Sequence, residues 1–298
     1  GAKHGIHAGA SVAQFLGLPL DLMETHGLGG QVNGGFFRYT IDPDWRTPHF
    51  EKMLYDQAQL AQLYQRAGAL LRRPDYTAIA HDTLDFILTG MSAPGGGYVT
   101  SLSALDARGR EGAAYLWDVG ELRRVLNPPE LALVRQLWRL DAARPFADGY
   151  LPMSSRRLTS DEQHRLRGVH GKLRALGRLR GVPRDIKVST ALNGLALSAF
   201  SLAGRGVPRF ERAARQLAAY VERELQVSGK LLKGRAAGRR FTEAELDDYA
   251  YAVAGLADFA ELTGDAPAAT HARRLAGDAW QRFHSAEGWR REERPLLA

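Results

Sequence analysis

Two stretches of this chain read as copies of one another, and that constrains its fold more than any single motif. Pro74-Asp75-Tyr76 is followed ten positions after its tyrosine by Phe86, and Pro208-Arg209-Phe210 is followed ten positions after its phenylalanine by Tyr220. An apolar-periodic helix running into glycine precedes each copy, Leu54 to Gly68 and Leu195 to Gly204, which is how a helix and its stop signal look in sequence. A Gly-containing extended stretch follows each, Gly95-Gly96-Gly97-Tyr98-Val99 and Gly229-Lys230-Leu231-Leu232. A third copy starts at the capping box Thr242-Glu243-Ala244-Glu245. It runs through Tyr249, Val253, Leu256 and Ala260 to Gly264, then resumes at Pro267 toward Trp280 and Gly288-Trp289. The unit is helix, short loop, helix, Gly-rich return. From Pro208 to Pro267 its period is 59 residues, and an array of such units buries its core by stacking neighbours.

Between the first two copies, Val119 to Leu126, Glu130 to Leu140 and Asp161 to Leu179 also read helical, broken by Asn127-Pro128-Pro129 and by the loop from Pro145 to Pro152. No βαβ alternation appears, and GxGxxG, GxxxxGK[ST] and HExxH are all absent, so a doubly wound α/β fold is not expected. The expectation is a single all-α domain over residues 1–298. No stretch approaches the roughly 18 uninterrupted apolar residues of a membrane span. The first residues lack the grammar of a signal peptide, and a cytoplasmic protein is expected. Zero cysteines exclude disulfides and thiol nucleophiles, so chemistry falls to carboxylates, His, Tyr, Lys or Arg.

A formal charge of +7 accompanies a basic belt of Arg156, Arg157, Arg165, Arg167, Lys172, Arg174, Arg178, Arg180 and Arg184. The belt has almost no interleaved aromatics for base stacking, and no nucleic-acid-binding motif occurs, so nucleic acid is not the expected partner. Arg far outnumbers Lys alongside abundant Ala and Gly, as in a high-GC genome, and a bacterial source is expected. His4 and His7 have metal-like spacing without a carboxylate nearby in sequence, so no metal and no other cofactor is expected.

Chemistry concentrates between Gly34 and Leu60, where six aromatics surround His49, Glu51, Lys52 and Asp56. Thr47 suits an N-cap and Pro48 the first helical position, which would put His49, Lys52 and Asp56 on one helix face and Glu51 with Tyr55 on the next. A plainer reading stands beside this one, in which Glu51 favours the positive helix end and Lys52 pairs with Asp56 on the surface.

The residues Gly34-Gly35-Phe36, Arg38-Tyr39 and Pro48-His49-Phe50-Glu51-Lys52-Met53-Leu54-Tyr55-Asp56-Gln57-Ala58 resemble the signature of the YyaL-like, spermatogenesis-associated thioredoxin-domain proteins. Glu111-Gly112 with Tyr115 and Trp117, Lys187-Val188 with Asn193-Gly194-Leu195, and Asp247-Asp248-Tyr249-Ala250 follow in the order such a protein would have. The resemblance implies an (α/α) toroid of helical hairpins like those of six-hairpin glycosidases and N-acylglucosamine 2-epimerases, placed after a thioredoxin-like domain. That domain is missing from this chain, and a fragment truncated at both ends, with about four of six hairpins, is expected. Phe37 stands where the resemblance implies His, Ala104 precedes Asp106 where it implies a second Asp, and Leu192 replaces a Trp before Asn193.

In such a toroid, loops and helix starts at one end line a funnel. Its expected mouth comprises Arg38, Tyr39, His49, Glu51, Asp106, Trp117, Asn193, Asp247, Asp248 and Tyr249. Sugar chemistry needs two opposed acid/base groups or two carboxyls flanking a glycosidic bond. His49 and Glu51 are the proton-transfer candidates, with Asp248 as facing carboxylate; Arg38, Tyr39, Asp106, Trp117, Asn193, Asp247 and Tyr249 would bind substrate. The expected function is a carbohydrate-active protein, epimerase- or isomerase-like ahead of glycosidase-like, with a small carbohydrate as ligand. The alternative is a non-catalytic interaction or ligand-binding module accompanying a thioredoxin-like domain. Within those residues, Asp247 and Asp248 also suit a helix N-terminus, Tyr249 suits a core, and Gly194 in an apolar helix costs about 1 kcal/mol against Ala, which points to close packing or ligand approach.

Overall fold

A computed structural model describes residues 15–154, 156, 158–177 and 181–292. His4, His7, Arg157, Arg178 and Arg180 lie outside the described residues. In chain order the helices are α1 (15–25), α2 (Leu54–Leu70), α3 (Pro74–Gly90), α4 (Val119–Val125), α5 (Pro128–Leu137), α6 (Ser160–Gly177), α7 (Thr190–Gly204), α8 (Pro208–Glu224), α9 (Leu246–Thr263) and α10 (Ala266–Phe283). Strands are short, two or three residues each. No described helix is long and apolar enough to cross a membrane. The chain forms two compact units, Gly1–Lys52 with Leu102–Pro183 and Met53–Ser101 with Arg184–Ala298.

The second unit holds the repeats. α2 packs on α3, α7 on α8 and α9 on α10, while α2, α7 and α9 form an inner row in which α7 touches both neighbours. Proline occupies the first turn of α3, α8 and α10, where its missing N–H costs no hydrogen bond. The ten-residue spacing of the copies puts Tyr76 with Phe86 and Phe210 with Tyr220 on one buried face of each outer helix. Gly194 settles its own alternatives: a Cβ there would stand 2.4 Å from the carbonyl oxygen of Tyr251 on α9. The glycine is a packing device that brings α7 and α9 together.

Two helix starts differ from expectation. α9 begins at Leu246, and its capping box is Glu245 with Asp248 rather than Thr242 with Glu245. The reason is that Arg239–Phe241 pair with Gly234–Ala236, which also pair with Val188–Ser189; Thr242 is left in the link. Similarly, Thr47-Pro48 start no helix. β1 (Tyr39–Thr40) and β2 (Pro48–His49) pair antiparallel, Tyr39 opposite His49, and the Arg38 amide donates to the Glu51 carbonyl. The stretch through Glu51 is therefore extended, α2 begins at Leu54, and the expected His49, Lys52 and Asp56 helix face does not form.

The first unit contains α1, α4, α5, α6 and the β1–β2 hairpin. Asn127 and Glu130 cap α5 reciprocally, with proline in its first turn. Trp117, Leu122, Val134, Leu137, Val169 and Leu173 form one core beneath α4, α5 and α6. Phe37, Phe50, Ala114, Tyr115, Leu116 and Leu151 form a second.

Candidate functional site

Four of the expected site residues meet on the β1–β2 hairpin of the first unit. Cross-strand pairing sets the rings of Tyr39 and His49 in a parallel stack, 5.0 Å between centroids and 5° between planes. Just beyond the paired residues, Arg38 Nη1 donates to Glu51 Oε2 at 2.9 Å. Tyr39 is about half exposed, 48%, whereas Nδ1 of His49 is buried with no hydrogen-bond partner among the described residues. An aromatic ring, an imidazole, a carboxylate and a guanidinium thus share one small, backbone-fixed edge.

Beneath them lies a group the sequence reading did not assign to the site. Lys52 is wholly buried. Its Nζ donates to the Gly34 carbonyl at 2.5 Å and lies 4.5 Å from the ring centre of Phe37 and 5.2 Å from that of Tyr115. Ring faces and a carbonyl stabilise a cation but do not replace its hydration, and burial pushes the Lys52 amine down to about 7. Phe37, standing where a histidine was expected, is therefore a wall of this box; it also packs edge-on against Phe50 and Tyr115. Burial raises the Tyr115 phenol well above its ordinary range. The alternation of buried Pro48, Phe50 and Lys52 with half-buried His49 and Glu51 marks an extended stretch, a signal obscured by reading the segment as helix.

Asp106 belongs to a polar cleft of about 550 Å3 in the same unit, lined among others by Arg108, Arg110, Asp118, Arg144 and Asp148. Arg110 is its hub: Nε and Nη2 donate to Asp106 Oδ2 at 3.1 and 2.8 Å, and Nη1 donates to Asp148 Oδ1 at 2.7 Å. The Arg108 and Arg110 amides both donate to Asp106 Oδ1. The Arg110 amide first, then its guanidinium and the Arg108 amide, hold the Asp106 carboxyl below its usual range. Arg144 similarly pairs with Asp118 at 2.9 Å. The cleft floor includes Ala114 and Leu116, members of the core that carries Phe37 and Phe50. Trp117 is fully buried in the neighbouring core and offers no open ring face.

The remaining candidates lie in the second unit. Asn193 is buried and clamps backbone to backbone: its Oδ1 accepts from the Tyr98 amide at 2.8 Å, and its Nδ2 donates to the carbonyls of Tyr98 and Ser189 at 3.0 and 2.9 Å. Asp248 is buried too, its oxygens accepting from the amides of Ala191 at 3.1 Å and Glu245 at 3.0 Å. Burial outweighs those donors and pushes its carboxyl up to about 6. Asp247 is exposed and accepts from the Asp248 amide. Tyr249 is buried edge-on against Phe283. Among the described residues no cluster of His, Cys, Asp and Glu has the makings of a metal site.

The hairpin pairs and their inner row define an all-α protein of the (α/α)-toroid class. A D-mannose isomerase of known structure aligns with a TM-score of 0.52 and 12% identity over 89% of this chain and 50% of that one. The unsaturated glucuronyl hydrolase of Bacillus sp. GL1 aligns with a TM-score of 0.50 and 12% identity over 91% of this chain and 57% of that one. In sequence, the chain's homologues are spermatogenesis-associated proteins 20, the group its motifs resemble: the human protein is 28% identical over 96% of this chain and the mouse protein 27% identical over 88%. The chain spans 42% of the human relative's length. These mammalian relatives overturn the expected bacterial origin. No protein-family model matches the chain.

Proposed function

We propose that this protein acts on a carbohydrate, with epimerase- or isomerase-like proton transfer ahead of glycoside hydrolysis. The observation that carries the reading is the β1–β2 edge, where His49 and Glu51 sit two residues apart in an extended stretch with Tyr39 and Arg38 against them. Moving a proton at a sugar carbon needs a base, an acid and a means of orienting the ring. In this reading His49 and Glu51 exchange the proton, Tyr39 offers its half-exposed ring to a sugar face, and Arg38 orients Glu51 and a ligand hydroxyl. Asp106, in its cleft of the same unit, is a candidate hydroxyl ligand. The likeness to an isomerase and a glycan hydrolase in fold supports a sugar ligand. The cytoplasm is the proposed compartment.

The test is a thermal-shift screen of monosaccharides, N-acylated sugars and short oligosaccharides, since a ligand bound only to the native state raises its stability. A shift lost in both His49→Ala and Glu51→Ala, with solvent deuterium entering the sugar at the carbon beside its carbonyl, is the expected result. A second reading, a ligand-binding module working beside a thioredoxin-like domain, is favoured by Phe37, which fills the Lys52 box instead of supplying a second imidazole. Well-folded protein that shifts with no sugar decides for that module.

A further inference from the structure

The Leu246 amide at the start of α9 donates to the Arg291 carbonyl just past α10. The first turn of α9 and the return hairpin after α10 therefore share one end of the second unit. There Trp280 and Trp289 are about half exposed, 55% and 53%. Their rings cross at 86° with centroids 5.3 Å apart, and His284 stacks on Trp280 at 3.9 Å and 15° while meeting Trp289 edge-on at 5.1 Å. Three rings that brace one another have already lost the rotamer freedom that binding would otherwise remove. The repeat does not require the second indole. In the preceding unit Leu231 pairs with Gln226 as Trp289 pairs with His284, and Leu231 is buried.

A basic hairpin stands at the same end. Gly234–Ala236 and Arg239–Phe241 pair antiparallel through a turn whose Ala237 and Gly238 have φ of 48° and 81°. Arg239 and Arg240 are exposed, and no hydrogen bond or ion pair engages either side chain among the described residues. Hydrogen bonds join hairpin and rings: Arg291 Nε donates to Glu245 Oε2 at 2.9 Å, Lys233 Nζ donates to Glu245 Oε1, and the Lys233 amide donates to the Phe241 carbonyl at 2.7 Å. Aromatic cluster and cationic hairpin are thus the two ends of one strip.

We propose that this strip binds an acidic oligosaccharide, with the Trp289 indole against the C–H face of one pyranose and Arg239 and Arg240 on carboxylate or sulfate groups further along the same glycan. An indole supplies apolar area with a polar edge, and guanidinium forks match planar anions. Crossed rings give no ladder on which successive bases stack, which favours a sugar over a nucleic acid. The net charge of +7 raises the local concentration of such a polyanion. The inference rests on the carbohydrate reading above and deepens it by naming the charge of the ligand.

The experiment titrates the whole chain with a galacturonate hexasaccharide, a sulfated hexasaccharide and neutral mannohexaose, following tryptophan fluorescence and calorimetry. At least one acidic glycan is expected to bind about tenfold more tightly than the neutral one and to weaken with salt, and the two acidic probes separate carboxylate from sulfate. Trp289→Ala is expected to lower that affinity about tenfold, and the double variant Arg239→Ser/Arg240→Ser to abolish the acidic preference. Both changes are at exposed positions, and unaltered melting of each variant checks folding. The proposal is overturned by an acidic affinity indifferent to both variants, by no acidic binding at all, or by an oligothymidylate of equal charge binding as well. A neutral sugar lost with His49→Ala but not with Trp289→Ala overturns the strip and leaves the carbohydrate reading standing. Trp289-dependent binding without deuterium exchange does the reverse for catalysis.

Discussion

Lys52 in the first unit and Asp248 in the second are both buried ionisable groups, and the two units accommodate them by different means. Asp248 sits at a helix start, where amides lacking intrahelical partners point at an anion, and it accepts from two of them. Lys52 lies in a two-residue strand, Lys52–Met53, and its amine meets the Gly34 carbonyl and two ring faces. The second unit therefore meets a buried charge with amides at helix starts, and the first with a backbone carbonyl and ring faces brought from separate segments. In both, burial drives the group toward its neutral form, downward to about 7 for the amine and upward to about 6 for the carboxyl, so their contributions to stability slope oppositely with pH.

The largest expected effect tests the lysine. Between its folded value near 7 and its unfolded value of 10.5, the unfolded chain binds more protons, so stability rises with pH across that window, by up to roughly 4 kcal/mol. Urea unfolding from pH 6 to 10 measures it; Lys52→Met should remove the rise and be at least as stable as wild type at pH 6. A wild-type profile unchanged in slope by this substitution breaks the contrast between the units. Next, Gly194→Val in the regular unit is expected to lower unfolding free energy by about 3 kcal/mol, because its branched side chain meets the Tyr251 carbonyl; a neutral result would mean that α7 and α9 can separate freely.

Asp248 gives the opposite pH window. Its folded value near 6 exceeds the unfolded 3.8, so its contribution is full below about pH 4 and is lost as pH rises through 6, by roughly 2 to 3 kcal/mol. Asp248→Asn should flatten unfolding free energy across that range, and an unaltered slope would remove the carboxyl from this role. The smallest effect is a gain: a Cβ at Gly168 in α6 meets nothing, and Gly168→Ala should raise stability by about 0.5 to 1 kcal/mol through helix propensity, read as a shift in the urea midpoint.

The helical hairpins were legible because their signals are local. Proline at the first turn recurs in each outer helix, aromatics ten residues apart recur in α3 and α8, and Leu54, Pro74, Pro208 and the Gly264 stop all mark real boundaries. Segment 47–53 was misread because a proline after threonine signals a helix start equally well when the chain is extended; pairing with Tyr39–Thr40 decided the matter. Lys52 was missed for the same reason, since a helical register placed it on a surface.

From sequence alone came the all-α class and the hairpin repeat, carried by spacing within one period, and the resemblance to the spermatogenesis-associated proteins, carried by motif residues; the meeting of Arg38, Tyr39, His49 and Glu51 came from the β1–β2 pairing. Only the tertiary structure decided that Asn193 clamps backbone, that Asp248 caps α9 while accepting from α7, and that Phe37 shelters a lysine. Those roles depend on which distant amide, carbonyl or ring a buried side chain meets, and burial sets both its hydrogen-bond partners and its charge.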